Sequence, residues 1–278
     1  MATTNSDNRQ DHNAANLGDL AKHAALAALT QLFVSRNPTF NWLDTHAYKL
    51  ETTPTEPLRK DWSEQLQALA TSHPGYQAYQ QLEEAFLARS RYLCSSGVVL
   101  ELAGKSARLF LAEKHPATRA ELRRQLEARG HSPQLLLEDV RDFGRLPLSN
   151  SGEQAKRPIN RNFSAPLLAL VDPLPPKKED WPQIWTDDAV GGWPSARQAI
   201  ASLHAAGTDG ALLLYQWRQH DEAVTWPEAP PSLGAKPRAS LRLQQRSPKS
   251  CYHHLALYTS DGLWPAANTL ANTLGWQV

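Results

Sequence analysis

Six short groups of polar residues in this chain have the types and positions that chemistry requires. Asp172 closes the apolar run Leu167-Leu168-Ala169-Leu170-Val171 and is followed by Pro173. Five consecutive apolar residues read as a fully buried strand. In open parallel α/β sheets ligands sit beyond the carboxyl ends of the strands, which is where this carboxylate stands. Glu113 closes a second such run, Ala107 to Ala112. Lys22 and His23 lie together on an apolar stretch three residues past Asp19, and His46 follows Leu43-Asp44-Thr45. Ser95 follows Cys94, and Asp139 precedes Val140 after another short apolar run. A carboxylate in such a place can accept hydrogen bonds from a ligand and can hold or take a proton. Taken singly, Asp172-Pro173 equally well ends a strand and opens a turn, and His46 equally well serves as a satisfied loop histidine.

These residues need a scaffold, and the hydrophobic pattern supplies one. Leu17 to Arg36 reads as a helix, with Leu20, Ala24, Ala28 and Leu32 on one side and a stop at Asn37-Pro38. Thr39 to Asp44 reads as the first strand, and from Trp62 to Gly104 the pattern is helical, with Tyr76, Tyr79, Leu82 and Phe86 at helix spacing. That stretch is expected to be an inserted helical lobe, and its aromatic stripe to be helix core. The sheet resumes at Ala107 to Glu113. A capping box from Thr118 to Glu121 then opens a helix that Gly130 closes. Gln134 to Leu137, Leu167 to Asp172 and Ala211 to Tyr215 read as further strands, and Pro194 to Ala206 as a helix. Ala239 to Gln245 and His254 to Thr259 have no helix between them and are therefore expected to pair antiparallel. Trp264 to Leu274 closes the pattern as a helix. The expectation is an α/β, Rossmann-like fold of the class I methyltransferase type: a mostly parallel seven-stranded sheet with a helical insertion of about residues 60–104 after the first strand. A polar segment, 1–16, is expected to be disordered, and 17–278 to form the domain.

Composition narrows the function classes. The chain has 278 residues, 29 Lys plus Arg against 28 Asp plus Glu, and a net charge of +1. A near-neutral chain has no global attraction for nucleic acid, so such a partner must be gripped by local patches. Arg145, Lys156, Arg157 and Arg161 form one, and Lys236, Arg238, Arg242, Arg246 and Lys249 form another with no acid from Pro230 to Ser250. No apolar run approaches bilayer length and no signal-peptide core is present, so a cytoplasmic protein without membrane contact is expected. Two cysteines, Cys94 and Cys251, suit two reduced thiols better than a disulfide framework. Adjacent His253 and His254 point to opposite faces of a strand, so no metal site is expected there.

In order and spacing, Asn16, Asp19, Lys22 and His23, then Leu43-Asp44-Thr45-His46-Ala47, then Glu113-Lys114-His115-Pro116, then Asp172-Pro173 resemble the bacterial large-subunit rRNA adenine-N6 methyltransferase family. The resemblance runs from about Asn16 to the end and includes the helical insertion. It implies S-adenosylmethionine as cofactor, protein-free large-subunit rRNA as partner and a monomeric enzyme. By position, it implies that Lys22 and His23 reach over the cofactor, with His46 and Ser95 beside its methionine end. Glu113 would bind the ribose hydroxyls, and Asp139 with Val140 would lie by the adenine ring. Asp172 would touch the cofactor site and act as the catalytic acceptor for the exocyclic amine of the substrate adenine. Two departures stand out. The family's glycine-rich turn after the first strand is here Tyr48-Lys49-Leu50, and its Asp-Pro-Pro-Tyr is Asp172-Pro173-Leu174-Pro175, leaving Trp181 or Trp185 to replace the stacking aromatic. They motivate an alternative, a catalytically inactive protein of this fold that binds nucleic acid without turning over cofactor.

Overall fold

The structure, a computed structural model, describes residues 17–53, 56–145, 165–173, 185–186, 192–205, 207–220, 224–245 and 251–278. Nine strands are present among them: β1 (Phe40–Asp44), β2 (Glu51–Thr52), β3 (Tyr92–Leu93), β4 (Ala107–Ala112), β5 (Leu135–Leu137), β6 (Leu167–Val171), β7 (Gly210–Arg218), β8 (Ala239–Gln245) and β9 (Cys251–Thr259). Seven α-helices accompany them: α1 (Leu17–Arg36), α2 (Glu56–Ser72), α3 (Gln77–Leu87), α4 (Ser95–Ala103), α5 (Pro116–Ala128), α6 (Trp193–Leu203) and α7 (Trp264–Thr273).

Seven strands form one sheet in the order β5-β4-β1-β6-β7-β9-β8. The first five run parallel, while β9 is antiparallel to both β7 and β8. This is the class I methyltransferase arrangement: the chain crosses the sheet one way from β1 through β4 to β5 and the other way from β6 to β7, which leaves a topological switch point between β1 and β6. The central strands read as unbroken apolar runs because both faces are covered. Trp42, Leu109, Leu111, Leu168 and Leu170 face one apolar cluster, shared with α1 and α4. Leu43, Phe110, Leu167, Ala169 and Val171 face a second cluster, completed by Ala196, Ala199 and Ile200 of α6.

Helix α1 is buried almost all round from Gly18 to Thr30, because sheet lies on one side of it and the helical lobe on the other. A Cβ at Gly18 would overlap the His253 ring and crowd Tyr215, so only glycine lets α1 lie this close to β7 and β9.

Three local expectations change. Thr118 sits inside α5 and does not cap it: His115 holds the N-cap position, Pro116 occupies the first turn, and Thr118 Oγ1 only approaches His115 Nδ1 at 3.5 Å. Gly130 does close this helix, at φ +69°. The stretch read as purely helical contains β3, which pairs antiparallel with β2 and clips the two ends of the lobe together. Its last helix, α4, packs on α1 and leads directly into β4, so it is the crossover helix between parallel β1 and β4, and the lobe proper ends before it. The polar loop around Lys156, Arg157 and Arg161 lies outside the described residues, as do Asn16, Leu174, Trp181, Arg246 and Lys249.

Candidate active site

Four neighbouring strands end in an acid at the same edge of the sheet. In sheet order these are Asp139 beyond β5, Glu113 beyond β4, Asp44 at the end of β1 and Asp172 beyond β6. Parallel strands give this for geometric reasons: their apolar runs are buried side by side, so the residues that close them gather at one carboxyl edge.

Asp172 is joined by Lys22, whose ammonium forms an ion pair with its Oδ2 and a second with Asp19 at 2.8 Å. Lys22 is only 4% exposed. Burial works against its charge, but the carboxylates of Asp172 and Asp19 outweigh burial and hold its pKa above the ordinary lysine range. The same ammonium lies 5.3 Å from the centre of the Tyr215 ring. Among the described residues Asp172 Oδ1 has no partner, so one oxygen of this carboxylate is fixed and the other is available.

His23, the next residue, turns into the protein. Its Nδ1 lies 3.2 Å from the Tyr92 hydroxyl and 3.3 Å from that of Tyr79, and its Nε2 lies 3.2 Å from Ser95 Oγ. Burial, aided by the Lys22 charge, pushes its pKa down to about 3, so the imidazole is neutral. Asp44 is buried too: Ser96 Oγ donates to it at 2.8 Å and the His46 backbone N–H at 3.3 Å. Burial nevertheless raises its carboxyl to about 6. His46 Nδ1 pairs with Thr45 Oγ1 at 2.8 Å.

The adenine half of the expected site is more tightly engaged. Glu113 accepts the backbone N–H of His115 at 2.6 Å, and Asp139 is gripped by the Arg141 guanidinium at 2.8 and 2.7 Å and by its backbone N–H. The Arg141 hydrogen bonds lower the Asp139 pKa. Val140 is buried in the second apolar cluster, where its side chain serves packing. The structure thus pairs Lys22 with Asp172 and His23 with Ser95, two polar groups held by consecutive residues of α1, with Glu113, Asp139 and His46 at neighbouring strand ends.

Sequence reasoning missed Asp44, Ser96, Tyr215, Tyr92 and Glu83. Asp44 alone carried a signal, since it ends the first strand as Asp172 follows the fourth. The bulky Tyr48-Lys49-Leu50 segment keeps negative φ, and Ser90 is the only non-glycine described at positive φ. Leu50 turns into the core at 0% exposure, while Tyr48 rests half-buried against the same cluster with Lys49 Nζ 4.8 Å from its ring centre. Trp185 is half-buried beside Trp193, with ring centres 6.4 Å apart. Of the basic residues, Arg238 pairs with Asp261 and Arg242 lies over the Tyr252 ring at 4.7 Å. Both cysteines are buried free thiols. No helix among the described residues is long and apolar enough to cross a membrane.

No family model matches the sequence, and no curated protein matches it. Among solved structures, protein LPL1258 of Legionella pneumophila, described as a DUF519 protein, superposes with a TM-score of 0.54 at 15% identity, covering 93% of this chain and 91% of that one. An rRNA methylase of Streptococcus thermophilus overlaps at 0.32 with 11% identity over 86% and 95% of the two chains. NSun6 of Pyrococcus horikoshii overlaps at 0.35 with 8% identity over 85% and 51%. The two looser overlaps bear no weight. Strand order and strand direction give an α/β, Rossmann-like fold of the class I methyltransferase type, and the first superposition shows that the protein from Legionella pneumophila shares the fold of this chain.

Proposed function

We propose that the protein is an S-adenosylmethionine-dependent methyltransferase that acts on the exocyclic amine of an adenine in large-subunit rRNA. The observation that carries the reading is the line of acids Asp139, Glu113, Asp44 and Asp172 along one sheet edge, ending at the Lys22-held carboxylate. A ligand that carries a sulfonium, an ammonium and a ribose diol presents cation and donors, and this edge presents acceptors, so the residues suit the cofactor. When bound, S-adenosylmethionine supplies an electrophilic methyl group.

The chain's own part is to present the amine. Its lone pair is delocalised into the base and poorly nucleophilic, and a carboxylate that accepts an N–H hydrogen bond holds the nitrogen in place and receives the proton it sheds. Lys22 fixes Oδ2 of Asp172, so Oδ1 is the acceptor. Glu113 takes the ribose hydroxyls, Asp139 and the backbone of Val140 flank the adenine, and Lys22, His46 and Ser95 surround the methionine end, which His23 reaches through Ser95. Radiolabelled methyl transfer to protein-free large-subunit rRNA tests the reading: Asp172→Asn should abolish incorporation, and equal incorporation by both proteins would reject it.

A second reading, an inactive descendant that only binds nucleic acid, is favoured by the Arg141 clamp on Asp139 and by Tyr48-Lys49-Leu50 in place of a glycine turn. Thermal shift separates the two. A ligand at a hundredfold its dissociation constant stabilises the folded state by about 2.7 kcal/mol. An unmoved melting temperature in millimolar S-adenosylmethionine and S-adenosylhomocysteine would select the second reading.

A further inference from the structure

The neutral imidazole of His23 has two tautomers, and its neighbours discriminate between them. Around it are Tyr79 and Glu83 from α3, Tyr92 from β3 and Ser95 from α4. The hydrogens can be counted. Tyr79 donates to Glu83 Oε2 at 3.2 Å, while the Leu93 backbone N–H donates to Glu83 Oε1 at 3.2 Å. Tyr92 is 2% exposed, and the acceptor its hydroxyl meets is His23 Nδ1 at 3.2 Å. If Nδ1 carried the hydrogen, the Tyr92 O–H would be buried without an acceptor, which folded proteins avoid.

We propose that Tyr92, with Tyr79 and Glu83 behind it, locks His23 in the Nε2–H tautomer, which makes Ser95 Oγ an acceptor from His23 and commits the Ser95 hydroxyl hydrogen as a donor to the crevice. The result holds for either state of Glu83. Ionised, it retains the Tyr79 hydrogen. Protonated at Oε2, it donates to Tyr79, and the Tyr79 and Tyr92 hydroxyls then share the one lone pair of Nδ1, which still accepts. The other titratable groups around the ring are Lys22 and Asp19 on its own helix and Cys94 ahead of α4, and none supplies Nδ1 with an acceptor. Tyr92, Tyr79 and Glu83 are thus positioning residues, which gives the helical lobe a role at the site. Ser95, half-buried, is the outlet of this buried chain. A donor there selects an anionic oxygen and rejects an ammonium. Resting on the methyltransferase reading, this assigns Ser95 to the carboxylate of the cofactor's methionine end.

Nitrogen NMR on histidine-labelled protein distinguishes protonated from bare ring nitrogens. The wild type should show His23 with Nε2 protonated and Nδ1 bare; a protonated Nδ1 would overturn the proposal. Tyr92→Phe should admit the Nδ1–H form at pH values where Glu83 is ionised and Tyr79 keeps its hydrogen on the carboxylate, and no change there would also overturn it. If that variant does not fold, the wild-type spectrum still decides. Calorimetry then tests the outlet: Ser95→Ala should weaken S-adenosylhomocysteine about tenfold and leave methylthioadenosine, which lacks the amino-acid tail, within about twofold. Equal weakening of both would reject the carboxylate assignment. No binding of either by the wild type, with the tautomer as stated, would reject the methyltransferase reading and leave the lock standing.

Discussion

Lys22 is the residue on which the arrangement turns, because a buried ammonium between two carboxylates stabilises the fold only while all three are present. Removing one partner of a buried pair leaves uncompensated charge, at a cost of about 3 kcal/mol where the pair is partly wet, as at Asp172. Lys22→Met should therefore lower the urea-unfolding free energy by about that amount, and adding Asp172→Asn should restore part of it. Strictly additive losses would show that the pair does not couple. The types and spacing of Lys22, His23, Ser95 and Asp172 were legible in the sequence. Their partners were not, since His23 meets Tyr79 and Tyr92 across 56 and 69 positions of chain. The stripe of Tyr76, Tyr79 and Phe86 is indeed buried. What it hid is the Tyr79 hydroxyl, because periodicity reports which face is apolar and says nothing of where a polar tip points.

Among the elements, α4 shows how closely the lobe must be tied to the sheet. The Leu50 carbonyl accepts the Cys94 N–H at 2.9 Å and lies against the Cα of Gly97, where a Cβ would overlap its oxygen. Alanine normally favours a helix interior over glycine by about 1 kcal/mol. Here the backbone clash outweighs that gain, so Gly97→Ala should destabilise by about 2 kcal/mol and lower the melting temperature. A rise instead would show that α4 moves freely. Element types and most bounds followed from hydrophobic period. The capping box at Thr118 misled because Pro116, two residues earlier, already fixes the first turn. The clip between β2 and β3 left no trace, since two residues per strand are too few to show alternation.

For the molecule as a whole, pH tests the burial of the polar network. Glu83, raised by burial to about 8 from an ordinary 4.5, keeps a proton in the folded state that the unfolded chain has shed, so stability falls as pH rises between those values. Asp44, raised to about 6, acts in the same sense at lower pH. Buried His23 and His253, lowered to about 3 and about 4 from an ordinary 6.5, act oppositely below 6.5 because only the unfolded chain takes up their protons. Of these four groups, Glu83 alone titrates between 6.5 and 8, so the wild type should lose about 2 kcal/mol across that interval at ~1.4 kcal/mol per unit. Glu83→Gln should flatten the slope, as measured by urea unfolding at the two pH values; an unchanged slope would place the proton elsewhere. The sequence by itself determined the seven strands of the main sheet, the antiparallel pairing of the last two and the acids Glu113 and Asp172 that close two of the central runs, because burial on both faces writes apolar runs that stop at the edge of the sheet. Only the tertiary structure decided which acids are already engaged, which way Leu50 turns and what surrounds His23, because hydrogen bonds between residues fifty or more positions apart depend on how α1 and the lobe pack, and no local pattern encodes that distance.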